Sequence, residues 1–204
     1  MKTSGNGQAF GHILFVPSVG RLELLPGESP EQGYRTHFSH ERERAEAGYY
    51  SVTLQDETSA AIEVELTATV HADMHRYTFP VADTARVLVD LIHAVGPWNE
   101  VREAHVAQVS DTEIEGFRYA QADKGPVYFV AQFSRPFRSF GVAQDAAVRP
   151  GLTMATGKQL QGFAEFDASS DSVVVAKVGL SWVNVAGARA NLLETRQIKA
   201  VREA

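Results

Sequence analysis

Between Ile62 and Val70 the chain alternates strictly. Ile62, Val64, Leu66, Ala68 and Val70 are apolar, and Glu63, Glu65, Thr67 and Thr69 between them are polar. Successive side chains of a strand point to opposite faces, so this run is a strand with one buried and one wet face. Beyond Val70 the large residues are Tyr77 and Phe79, now on odd positions. A shift of one residue exchanges the two faces of a strand. The change of parity predicts a turn or bulge at His71–Asp73 and a second strand over Met74–Phe79. Gly48–Gln55 (GYYSVTLQ) predicts a third strand, joined to the first through Asp56–Ser59. Three adjacent strands with short joins make an antiparallel meander. Phe38–Pro80 is thus expected to form the heart of a sheet.

The rest of the chain repeats this grammar. His12–Val16 predicts a short strand ended by Pro17, and Pro26, Gly27 and Pro30 mark a surface loop. Tyr34–His40 predicts a strand leading into the meander. Ala85–His93 is a mostly apolar run that suits a strand covered on both faces, in which Asp90 needs a partner. Val101–Ser110 and Thr112–Tyr119 predict a hairpin. Pro126–Ser134 is rich in β-branched and aromatic residues, and Phe137–Val142 continues it weakly. Ala143–Gly151 reads as polar and irregular. Gly162–Phe166 and Ser172–Val183 are the last expected strands. Val185–Ala204 changes character, with many helix formers and Asn184 as an N-cap. The expected fold class is all-β: an antiparallel β-sandwich over residues 1–184, then a short helical segment over 185–204.

Composition narrows the function. A net charge of −6 argues against a nucleic-acid surface, which needs a basic face. The chain has no cysteine, so neither a disulfide framework nor a thiolate metal site is available. No apolar run reaches membrane-spanning length, and no signal peptide is visible at the start. Neither a phosphate-binding GxxxxGK[ST] loop nor a GxSxG elbow is present.

Four constellations could carry chemistry. His71, Asp73 and His75 offer metal donors at alternate positions, but the expected turn runs through them and argues for surface polar residues. Glu41 and Glu43, beside His40, could be the paired carboxylates of glycoside hydrolysis. Interleaved with Arg42 and Arg44, they fit a salt-bridged strand end better. Glu113 and Glu115 fit that description too. The glycine-rich stretch Thr3–Gly7 (TSGNG) could cradle an anion or sugar with its backbone N–H groups, though such turns are usually only turns. Of the two tryptophans, Trp98 follows a Gly-Pro turn and is the exposed candidate. Trp182 lies in an apolar strand and is expected in the core.

Four segments, in order, carry a family resemblance. They are SGNG with GHILFVP, FSHERERAEAGYYSV with VELTATVHADMHRYTFP, GFRY with VYFVAQFSRPF, and VVVAKVGLSWVNVAGARANLLE. Together they resemble the N-terminal β-domain of glycoside hydrolase family 92, the calcium-dependent exo-α-mannosidases. His12 departs from the family's usual Asp, Gln8 from a frequent Cys, and Ala47 from a common Pro. The resemblance implies a galactose-mutarotase-like supersandwich, clipped at its start, whose helical segment begins the linker to an (α/α) barrel. It implies hydrolysis of terminal α-mannosides with inversion, in a pocket between the two domains. The acid, the base and most calcium ligands would belong to the barrel. No catalytic or metal residue is therefore assigned to this chain, and no cofactor is expected for it alone. Ser4, Gly5, Asn6, Gly7 and His40 are the positions the resemblance places nearest carbohydrate and the interface. The implied partners are a mannose-containing glycan and the barrel, with no nucleic acid and no membrane, and the implied location is periplasmic or secreted. The alternative is a free-standing carbohydrate-binding or interaction sandwich without enzymatic role. A sandwich lacking its barrel is also expected to expose an apolar patch beside the helix, with Leu192 and Leu193 as candidates, unless the helix folds back over that edge itself.

Overall fold

The computed structural model describes residues 13–28, 32–55, 61–93 and 99–198. It is an antiparallel β-sandwich of two unequal sheets. The fourteen described strands are β1 (Leu14–Val19), β2 (His37–Glu46), β3 (Tyr49–Gln55), β4 (Ala61–Ala68), β5 (Ala72–Thr78), β6 (Ala82–Asp90), β7 (Val101–Gln108), β8 (Glu113–Ala120), β9 (Val127–Phe133), β10 (Ser139–Gln144), β11 (Ala147–Arg149), β12 (Met154–Gly157), β13 (Leu160–Ala168) and β14 (Val173–Ser181). The five-stranded sheet runs β1-β6-β13-β10-β11. The nine-stranded sheet runs β12-β7-β8-β9-β14-β5-β4-β3-β2. The core between them is built from residues such as Val87, Val89, Ile114, Phe129 and Phe166, all fully buried.

The meander forms as expected, as β3, β4 and β5 side by side. Its parity change is real. Val64 pairs with Tyr77 and Leu66 with His75, so even residues of β4 and odd residues of β5 share the inner face. The reversal lies at Thr69–His71, closed by the Thr69 N–H donating to the Ala72 carbonyl at 2.7 Å.

β6 is covered on both sides. Val87 and Val89 face the core, while Leu88 packs outward with Phe163, Ala143 and the loop residues Leu22, Leu24 and Tyr34. Asp90 has the partners its burial demands. Tyr34 donates to Oδ2 at 2.6 Å, and the Ile92 N–H donates to Oδ1 at 2.7 Å. Arg86, equally buried, is neutralised by Glu165 at 2.7 Å.

Several expectations need correction. Tyr34 belongs to the loop over the small sheet, and the strand starts at His37 and runs on to Glu46. Ala143–Gly151 is not irregular: β10 and β11 form a hairpin there. Its turn is made by Asp145 and Ala146 at φ 56° and 59°, the left-handed pair a two-residue hairpin loop requires. A strand at Met154–Gly157 went unforeseen. Trp182 is not core but 51% exposed, because β14 ends at Ser181 and the chain leaves the sheet there.

The helical segment is as expected in place and cap. Helix α1 (Val185–Asn191) starts at Asn184, whose side chain accepts from the Gly187 N–H at 2.7 Å. A 3-10 helix, Leu192–Gln197, follows. Both fold back onto the outer face of β14, β9 and β5. Asn191 donates to the Leu180 carbonyl at 2.7 Å, and Arg189 binds Glu113 and, at 2.6 Å, Glu115. Glu194 accepts from the Thr69 hydroxyl at 2.6 Å and pairs with His71 at 2.8 Å. The helix covers this sheet face itself. Leu192 is half-buried beneath it, and Leu193 is 56% exposed.

Candidate functional site

Ser4, Gly5, Asn6 and Gly7 lie outside the described residues, as does Trp98. His40 is described, and its setting is specific. β2 is an edge strand, and its ladder with β3 slips between Phe38, paired with Leu54, and Glu43, paired with Val52. The four residues Ser39–Arg42 thus stand opposite Thr53 alone. Such a bulge kinks the strand and re-aims its side chains. His40 is thrown outward, its side chain 86% exposed, and its Nδ1–H donates to Glu43 Oε2 at 2.5 Å. Tyr50 donates to the other carboxylate oxygen, also at 2.5 Å. These two hydrogen bonds, the Tyr50 one larger, hold the Glu43 carboxyl below the usual range. The Phe38 ring meets His40 edge-on at 5.3 Å.

Sequence reasoning singled out Glu43 and His40 but missed Tyr50. The signal was available: in a hairpin turning at Ala47–Gly48, Tyr50 is the diagonal neighbour of Glu43 across the strands. The pairing of Glu41 with Glu43 on one strand face does not hold, because Glu41 sits within the bulge. Glu113 and Glu115 are fastenings for Arg189.

Beneath this edge lies a cavity of about 750 Å³. The nine-stranded sheet is wider than the five-stranded one, and among the described residues no strand of the smaller sheet lies beyond β1 on that side. The lining is Tyr50, Val52 and Leu54 from β3, Leu66 from β4, and His75 and Tyr77 from β5, with Leu180 behind them and Phe15 of β1 at the wall. Phe15 meets His75 edge-on at 5.4 Å. Phe38 and Trp182, each about half exposed, lie at its margin. Burial lowers the His75 pKa to about 4, so the ring is neutral at physiological pH.

The alternate triplet does not act as one group. Asp73 and His75 point inward, toward the cavity, while His71 sits at the turn and binds Glu194 on the helix side. Among the described residues no three His, Asp or Glu side chains converge as a metal would require. The side-chain donor sets among the described residues do not fit calcium.

Two antiparallel sheets packed as a sandwich, with a capped helix on the outer face of the larger one, place this chain among all-β domains. The sequence profile of the glycosyl hydrolase family 92 N-terminal domain matches residues 1–181, and the chain belongs to that family. Its structure is similar to the family GH92 α-mannosidase BT3965 from Bacteroides thetaiotaomicron, with 30% identity and a TM-score of 0.82 over 93% of this chain and 26% of that one. The GH92 family glycosyl hydrolase ccman5 shares the fold at 24% identity and a TM-score of 0.78, over 96% of this chain and 27% of that one. A bacterial glucoamylase solved with acarbose shares the fold more distantly, at 10% identity and a TM-score of 0.53, over 92% of this chain and 26% of that one. The chain thus spans about a quarter of the length of these solved proteins. Comparison with curated protein sequences finds no match.

Proposed function

We propose that residues 1–204 serve as the N-terminal β-sandwich of an α-mannosidase that removes terminal α-mannose with inversion. In this reading the sandwich supports and walls the site, and sequence outside these residues supplies the acid and the base. The supporting observation is the conjunction of a family match over residues 1–181 with an alignment to 93% of this chain and 26% of an α-mannosidase. Inverting hydrolysis needs one carboxyl to protonate the leaving oxygen and another, on the opposite side, to activate water, about 6.5–9.5 Å apart. Three of the four candidate glutamates have other partners: Glu43 is held by Tyr50 and His40, and Glu113 and Glu115 by Arg189. Residues 1–184 are then the sandwich and 185–204 the start of a linker toward an (α/α) barrel. His40, projecting from the bulge, and Ser4, Gly5, Asn6 and Gly7 would lie nearest the glycan. Calcium, if the enzyme uses it as the resemblance implies, would be held outside the described residues.

Two preparations test this. The 204-residue polypeptide should release nothing from an aryl α-mannoside, with or without calcium. A chimera carrying it in place of the corresponding stretch of the Bacteroides α-mannosidase should be active, and His40→Ala in that chimera should raise KM. Calcium-dependent mannose release by the 204-residue polypeptide, lost in Glu41→Gln, would overturn the reading.

A further inference from the structure

The cavity beneath the β3–β5 end contains a charge that the fold does not use. Most polar groups around it are spoken for. The Tyr34 hydroxyl donates to Asp90, the Tyr49 hydroxyl to Glu65 and the Tyr50 hydroxyl to Glu43. Thr67 donates to the Gly48 carbonyl, and Tyr77 shares a 2.8 Å hydrogen bond with His75. Arg35 is at the exposed mouth. Asp73 is different. It lies on the inner face of β5 opposite Ala68 and Val178, lines the cavity, and has no hydrogen-bond partner among the described residues.

An unpaired carboxylate against apolar surroundings is costly, and the cost is recovered only when a donor or a cation meets it. The surroundings say which kind. A sugar would need several hydrogen bonds, and the floor offers Tyr50, Leu66, Leu180 and Val64 instead. A metal ion would need several donors, and among the described residues no three His, Asp or Glu side chains converge at Asp73. An ammonium group on an apolar body satisfies both the carboxylate and the floor. The volume, about 750 Å³, lies within the range of small-molecule sites.

We propose that this cavity is a binding site for an organic ammonium compound, its ammonium group paired with Asp73 and its apolar body laid over Tyr50, Leu66 and Leu180. The site adjoins the β2 edge through Tyr50 and Phe38, but Asp73 lies on β5, away from the bulge, and the proposal does not depend on the mannosidase reading. It places a second small-molecule class inside the sandwich itself.

The probes are 2-phenylethylamine and its neutral analogue 2-phenylethanol, titrated into the 204-residue protein by calorimetry at pH 7.5. The amine should bind more tightly than the alcohol. Asp73→Asn should weaken the amine by about tenfold or more, a loss of about 1.4 kcal/mol or greater, and leave the alcohol within about twofold. Leu66→Trp, which fills the floor, should abolish binding of both, with thermal unfolding confirming that each variant is folded. No binding of either probe, equal affinity for both, or unchanged amine affinity in Asp73→Asn would each overturn the proposal.

Discussion

The main-chain carbonyl oxygen of Ala188 lies 2.1 Å from the point where a Cβ on Gly179 would stand. The Leu192 nitrogen is 3.0 Å from the same point. Helix α1 is therefore seated directly on the backbone of β14, and Gly179 is what permits the approach. Gly179→Ala puts a methyl group against main chain that cannot swing aside. Overpacking of this kind costs about 1–3 kcal/mol. The thermal midpoint should fall by several degrees. Protection of the α1 amides in hydrogen exchange should fall further than that of β6. Equal stability in Gly179→Ala would show that the helix is loosely held.

The two leucines after the helix should part company. Leu192 is half-buried and Leu193 is 56% exposed. Leu193→Glu is expected to change stability by no more than about 0.5 kcal/mol, and Leu192→Glu to cost about 1–3 kcal/mol, as buried charges do. Denaturant titration checks both. Light scattering on Leu193→Glu across a concentration series asks whether the exposed leucine mediates association.

Asp73 sets a pH dependence with a definite sign. Burial raises its carboxyl from the ordinary 3.8 to about 6. A folded-state pKa above the unfolded one means that ionisation disfavours the folded chain. The contribution of Asp73 to stability is fully present below about pH 4 and is lost as the pH rises through about 6. Asp73→Asn should therefore be more stable than the parent at pH 7 by about 1–3 kcal/mol. The difference should vanish by about pH 4. Urea unfolding of both proteins at pH 4, 5 and 7 measures it, since every other group titrates in both. A residue that costs stability at a cavity wall is the pattern expected of a binding residue.

The Glu43 carboxyl is held low by two donors, Tyr50 first and His40 second. Tyr50→Phe should raise the Glu43 pKa further than His40→Ala does, read from carboxyl chemical shifts in an NMR titration. The reverse order would mean that the imidazole, rather than the phenol, anchors the bulge.

What the sequence determined by itself is the local register. Alternation at Ile62–Val70 and the parity change at Tyr77 placed the inner faces of β4 and β5, because a strand's period is a property of its own backbone. Asn184 marked the helix start because a cap acts on N–H groups three residues away. The apolar run around Asp90 required a partner for that carboxylate, without naming Tyr34. The tertiary structure decided what lies across each face. The 3-10 segment brings Glu194 to Thr69 and His71, and the loop brings Tyr34 to Asp90. Nothing in a period-two pattern encodes contacts that distant. The exposure of Trp182 follows from where β14 ends, and the cavity from a nine-stranded sheet wider than the five-stranded one. The cavity is a consequence of strand order, which hydrophobic periodicity leaves open because any strand with one apolar face can pair with any other. The bulge that turns His40 outward belongs to the same class: it arises from pairing β2 with β3, not from either strand alone.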